Sequence, residues 1–216
     1  RAATGEQLTY RQLDENSTRI ANYLESLGVK RGDNIAVVSA NDLHVFEVYW
    51  AALRSGLYVT AVNHHLTAGE TNYILEDCNA QVLFAGASVA DAVSASGEID
   101  ALNRPGRRIA WGGDIEGFDS YDKVLANASA EPRTDQPRGQ DMLYSSGTTG
   151  RPKGIKPKLP DGQVQDIPAP YTAVFAPMYG FDDSTVYLCP APLYHAAPLR
   201  FCGTIQSVGG TVVLMD

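Results

Sequence analysis

Apolar positions in the first third of the chain switch between two rhythms. From Thr9 onward, Leu13, Ile20, Ala21, Leu24 and Leu27 recur on one helical face. Thr9 and Gln12 have the spacing of a capping box, and Gly28 supplies the stop, so a helix is predicted between them. After Asp33 and Asn34, residues 35–38 form an unbroken small and β-branched run, as expected of a strand buried on both faces. The cycle then repeats: Asn41 is placed to cap a helix carrying Phe46, Tyr49, Trp50 and Leu53 to a stop at Gly56, with a strand over 57–62. Thr67 and Glu70 form a second capping box, for a helix through Tyr73, Ile74 and Leu75. Residues 81–84 make the next strand.

Further along the pattern weakens. Residues 87–96 read as helix, 108–111 as strand, 121–125 as part of a helix and 185–188 as strand. Residues 131–138 have the composition of a linker, with a new element near Asp141, and residues 156–170 carry four prolines and read as an irregular loop. Strands alternating with helices of this length predict an α/β fold with a mostly parallel sheet. The chain has 216 residues and a formal charge of -8, which excludes a broad basic face for nucleic acid but leaves room for a small phosphorylated ligand held by a few N–H groups and one lysine. No apolar stretch reaches the ~20 residues of a membrane span. Cys78, Cys189 and Cys202 lack C-x-x-C spacing, which points to reduced thiols and a cytoplasmic location. The chain opens on Arg1 with no leader-like segment, so its natural start is expected upstream.

Candidate chemistry concentrates in residues 142–155. An apolar strand end runs into Ser145, Ser146, Gly147, Thr148, Thr149 and Gly150, then Arg151, Pro152, Lys153 and Gly154. The glycines let successive N–H groups converge on an anion, the four hydroxyls add donors, and Lys153 adds a cation. Composition alone would also fit an ordinary Gly- and Ser-rich turn. The spacing is not that of a Walker A loop, which needs lysine directly after the second glycine. The string Tyr144-Ser145-Ser146-Gly147-Thr148-Thr149-Gly150-Arg151-Pro152-Lys153-Gly154 resembles, without a mismatch, the phosphate loop of the AMP-forming adenylating enzymes: acyl-CoA synthetases, luciferases and peptide-synthetase adenylation domains.

A second segment, Ala191-Pro192-Leu193-Tyr194-His195-Ala196-Ala197-Pro198-Leu199, is similar to the P-L-(F/Y)-H turn of that family. The resemblance implies that His195, with Tyr194 beside it, stands at the acid pocket and helps the carboxylate approach the α-phosphate. It implies that Ser145, Ser146, Gly147, Thr148, Thr149, Gly150 and Lys153 hold the nucleotide, that Thr149 lies near a phosphate-bound Mg2+, and that Thr149 and Lys153 act with His195 in catalysis. Residues 8–14 look like the family's opening L-T-Y helix, and residues 209–214 look like its G-G-x-x-V-L strand. One departure is the insertion after Gly154, where many members begin a T-H-x-N-like helix. His64 and His65 are adjacent, and side chains at neighbouring positions diverge, so they make a poor metal clamp and read as a solvated loop.

The fold implied is α/β, two mostly parallel βαβ lobes forming part of the large N-terminal domain of an AMP-forming ligase. Residues 1–40 plus 158–216 would make one incomplete lobe, and residues 41–157 the other, carrying the phosphate loop. The C-terminal domain, the ribose-binding aspartate and the adenylation lysine of the family are expected beyond residue 216. The implied activity is an ATP-dependent acid–thiol ligase that converts a fatty or aromatic acid to acyl-AMP and then to a coenzyme A thioester, using ATP, Mg2+ and coenzyme A. The competing readings are a peptide-synthetase adenylation domain and a catalytically silent module. Losing the missing contacts would weaken ATP binding by roughly 10²- to 10⁴-fold, so this segment alone is expected to be inactive. A Rossmann-type nucleotide domain lacks support, because no G-x-G-x-x-G joins an early strand to a helix.

Overall fold

A computed structural model describes residues 1–145 and 151–215. The chain runs α1 (Tyr10–Ser26), β1 (Asn34–Val38), α2 (His44–Leu53), β2 (Tyr58–Val62), α3 (Ala68–Asp77) and β3 (Ala80–Gly86). Two 3-10 segments follow (Ala87–Val93 and Ser96–Glu98), then β4 (Arg108–Trp111), β5 (Asp119–Ser120) and α4 (Tyr121–Asn127). The remainder is β6 (Gln140–Asp141), β7 (Leu143–Ser145), β8 (Lys153–Ile155), α5 (Pro170–Tyr179), β9 (Val186–Cys189), α6 (Ala196–Ser207) and β10 (Thr211–Leu214).

Both expected capping boxes form, with Thr9 and Gln12 starting α1 and Thr67 and Glu70 starting α3. The cap assigned to Asn41 does not. Helix α2 begins at His44 behind Leu43, without a side-chain cap; Asp42 Oδ1 instead accepts the His44 N–H at 3.0 Å. Residues 87–96 are short 3-10 turns rather than a helix.

Six strands form a parallel sheet in the order β5-β4-β3-β1-β2-β6. Every residue of β1 and β2 is buried, as their unbroken apolar runs require. Alternate residues face opposite layers: Ile35 and Val37 pack with α1 and α2, whereas Ala36 and Val38 pack with Ile74 and Leu75 of α3. Each such buried Val, Leu or Ile side chain contributes ~1.5–3 kcal/mol relative to exposure. The first connection steps from β1 to β2, and the chain then crosses back over β1 to lay down β3, so a crevice opens beyond the carboxyl ends of β1 and β3.

β9 and β10 form a separate two-stranded parallel sheet, and β7 and β8 an antiparallel hairpin. A boundary after residue 40 does not follow the strand pairing. β1 lies inside the six-stranded sheet, with its two hydrogen-bonding edges satisfied by β2 and β3. The N-terminal segment meets the small sheet, where Ala2 donates to the Leu214 carbonyl and the Tyr10 hydroxyl to that of Gly210, and Cys189 and Leu214 are buried in the same core as α1 and α2.

Candidate active site

The segment leading to the phosphate loop is fixed at several points. Gly139 must approach the main chain closely, since a Cβ there would lie 2.3 Å from the Leu57 oxygen and 2.4 Å from that of Ala52. β6 then pairs with β2, and the Met142 carbonyl accepts the buried Thr60 hydroxyl at 2.9 Å. In the β7–β8 hairpin, Leu143 pairs with Ile155, Tyr144 with Gly154 and Ser145 with Lys153. Ser145 and Lys153 are therefore directly opposite at the hairpin neck, and both are exposed. Ser146, Gly147, Thr148, Thr149 and Gly150, which carry most of the expected phosphate contacts, lie outside the described residues.

Side chains of α3 brace the hairpin. The Tyr144 hydroxyl donates to Asp77 at 2.5 Å; burial and that carboxylate raise the phenol well above its ordinary range. The Arg151 guanidinium lies 4.9 Å from the Tyr73 ring centroid, and the Tyr73 hydroxyl donates to the Pro152 carbonyl at 3.3 Å.

The second predicted segment is a turn between β9 and α6. Leu193 is buried, Tyr194 half-buried and His195 exposed. His195 occupies the N-cap position of α6 in extended conformation, but its side chain makes no cap bond, so the imidazole is not consumed in starting the helix. The Tyr194 and His195 rings stand 4.5 Å apart.

His64 and His65, read from the sequence as a solvated pair, join this group. Their rings face each other at 4.1 Å rather than diverging, because the chain bends after β2. Tyr194 presents an edge to both, at 5.4 Å and 6.3 Å. Burial, and then His65, hold His64 below its ordinary value, favouring the neutral ring. No local signal marks this convergence, since 129 residues or more separate the histidines from Tyr194.

Arg200, one turn beyond His195, joins the two segments. Its Nη2 and Nε reach Asp141 Oδ2 at 2.6 Å and 2.9 Å, and its guanidinium lies 5.5 Å from the Tyr171 ring centroid. The helix carrying His195 is thereby tied to the strand that feeds the phosphate-loop hairpin. Among the described residues no cluster of three or more His, Cys, Asp or Glu could hold a metal ion. The donor set suits an anion: serine and lysine across a hairpin neck, with further hydroxyls and glycines between them in sequence. Mg2+ is bound in such sites chiefly through a substrate's phosphates.

The fold is an α/β domain with a doubly wound parallel sheet, and the glycine-threonine segment recognised in the sequence is framed by the β7–β8 hairpin. The chain belongs to the AMP-binding enzyme family, whose model matches residues 2–216. It is 31% identical over 159 residues to the long-chain-fatty-acid–CoA ligase FadD13 of Mycobacterium tuberculosis, a match covering 71% of this chain and 30% of that protein. It is also 31% identical over 225 residues to a feruloyl-CoA synthase of Amycolatopsis sp, covering 97% of this chain and 39% of that protein. The solved anthranilate CoA ligase AuaEII, in complex with anthranoyl-AMP, superimposes with a TM-score of 0.78 at 22% identity, over 99% of this chain and 41% of its own. The chain thus spans between about a third and two fifths of the length of these relatives. Among the described residues no helix is long and apolar enough to cross a membrane.

Proposed function

We propose that the full-length polypeptide carrying this segment is an ATP-dependent acid–thiol ligase of the cytoplasm. It joins a fatty or aromatic carboxylic acid to AMP with release of pyrophosphate, then passes the acyl group to coenzyme A with release of AMP. The observation that carries this reading is the register of the β7–β8 hairpin, which sets Ser145 opposite Lys153 at the mouth of a glycine-threonine loop in a chain of the AMP-binding family.

The chemical difficulty is that a carboxylate must approach a triphosphate. Two unit charges at ~4 Å repel by about 4 kcal/mol at an effective dielectric near 20. Lys153, the Ser145 hydroxyl and the donors of residues 146–150 offset the phosphate charge, and Mg2+ bound through the phosphates, near Thr149, would lower it further. His195, exposed beside Tyr194, orients the incoming carboxylate. The rings of His64, His65 and Tyr194, packed edge to face, give the acid an aromatic wall.

Acid-dependent exchange of labelled pyrophosphate into ATP tests the reading. The full-length polypeptide should exchange only when a fatty or aromatic acid is present, and the 216-residue segment alone should not. A folded full-length polypeptide that exchanges with neither acid class refutes it.

A further inference from the structure

The loop after β1 contains a side chain whose hydrogen-bond partners all lie just beyond the ends of β9 and β10. Asn41 Oδ1 accepts the Leu193 N–H at 2.8 Å, while its Nδ2 donates to the Met215 carbonyl at 2.8 Å and to the Ala191 carbonyl at 3.3 Å. One half-buried amide thus connects the carboxyl end of β1 to the exits of both β9 and β10. Its bonds to Ala191 and Leu193 straddle Pro192 and end one residue short of Tyr194. Leu193 is only 3% exposed, so the turn is held by packing through that side chain and by hydrogen bonds through its backbone.

Besides Asn41, the turn is held by the Cys189 thiol on the Ala191 carbonyl at 3.5 Å, by the Leu199 N–H on the His195 carbonyl at 3.3 Å and by the Tyr194 ring against His64 and His65; of these, only the ring contacts reach beyond the β9–α6 segment. The His195 N–H donates to the Pro192 carbonyl at 3.1 Å, a bond internal to the turn that moves with it. With no cap bond on the imidazole, the direction of that ring depends on where the backbone of residues 191–195 is placed. We propose that Asn41 is a positioning residue for His195: it locks the 191–195 turn against the end of β1 and so sets the imidazole where the acid meets the nucleotide. This rests on the role given to His195 above. A primary amide is the group that fits, because it offers one acceptor and two donors to one N–H and two carbonyls. Aspartate would keep the Leu193 bond but set carboxylate lone pairs against two carbonyl oxygens, and alanine would lose all three bonds.

Loss of registry by about 1 Å at a reacting group costs on the order of 10²-fold in rate. The test compares wild-type, Asn41→Ala and Asn41→Asp full-length polypeptides by pyrophosphate exchange and by hydrogen exchange at the Leu193 amide. Ser17→Ala, which removes a buried hydroxyl bonded to the Leu13 carbonyl in α1, serves as a control for loss of a buried polar group remote from the turn. Asn41→Ala should lower kcat about 10²-fold, leave the KM for ATP within about twofold, and expose the Leu193 amide to exchange. Asn41→Asp should retain Leu193 protection and recover part of the rate, and Ser17→Ala should change neither. Equal kcat loss in Asn41→Ala and Ser17→Ala, or a freed Leu193 amide with unchanged kcat, overturns the positioning role while leaving the ligase reading intact. Absence of acid-dependent exchange in the wild type is the separate result that removes the ligase reading, and the positioning role with it.

Discussion

Breaking the Arg200–Asp141 pair should have unequal consequences depending on which partner is removed. The Asp141 side chain is 2% exposed, whereas that of Arg200 retains 34%. Deleting one member of a fully buried pair costs ~3–5 kcal/mol, because the other charge is stranded without solvent. Arg200→Met strands the buried carboxylate. Since the pair borders solvent on the arginine side, water recovers part of that cost, and a loss of about 2–3 kcal/mol is expected. Asp141→Asn strands a guanidinium that can turn to water and leaves an amide able to hold one hydrogen bond, so about 1 kcal/mol is expected. The double variant should lose only about 1–2 kcal/mol, less than Arg200→Met alone, because the isolated charge is gone. Urea unfolding followed by tryptophan fluorescence reads all three losses. Additive losses, or a greater loss from Asp141→Asn than from Arg200→Met, would show that stranding a buried charge is not what the pair prevents.

Three further outcomes follow from other parts of the structure. Buried Glu47 accepts from His44, Tyr121 and Asn16 at 2.6, 2.6 and 2.5 Å; although burial opposes both charges, these bonds hold Glu47 below its ordinary 4.5, and Glu47 holds His44 above its ordinary 6.5. The Glu47 contribution is complete above 4.5 and lost as pH falls through its lowered value, while that of His44 is complete below 6.5 and lost as pH rises through its raised value, so urea midpoints should gain most from this pair between those limits. His44→Gln should abolish the decline above 6.5, and an unchanged profile would count against the pair. Gly139→Ala should cost about 3 kcal/mol or prevent folding, read as thermal midpoint or soluble yield, because the oxygens in its way are backbone; a wild-type midpoint would contradict this. Lys153→Ala should slow pyrophosphate exchange by roughly 10²- to 10³-fold with less than ~0.5 kcal/mol of stability change, since the side chain is exposed; the opposite pattern would make Lys153 structural.

What could be read from the sequence was local. The capping boxes at Thr9 and Thr67 need only residues three apart, and the buried strands declare themselves by runs of β-branched residues. Helix α5 has no apolar stripe to announce it: only Thr172 is buried, Val174, Met178 and Tyr179 are exposed, and Pro177, a residue that reads as a breaker, lies inside it, although Gly180 at φ +66° is a proper left-handed stop. Asn41 misled because it stands where a cap would stand, while its true partners lie 150 residues or more away. The same holds for the site. The phosphate loop and the Tyr194-His195 turn are contiguous motifs, whereas Arg200–Asp141 and the approach of His64 and His65 to Tyr194 exist only once strands far apart in sequence are packed.

The most direct measurement is a crystal structure of the full-length polypeptide with a non-hydrolysable ATP analogue and a bound aromatic or fatty acid. The account predicts triphosphate density between the Ser145 hydroxyl and the Lys153 ammonium, with the carboxylate beside the His195 imidazole. Nucleotide bound elsewhere, with the hairpin neck empty, or an acid bound away from His195, would contradict it.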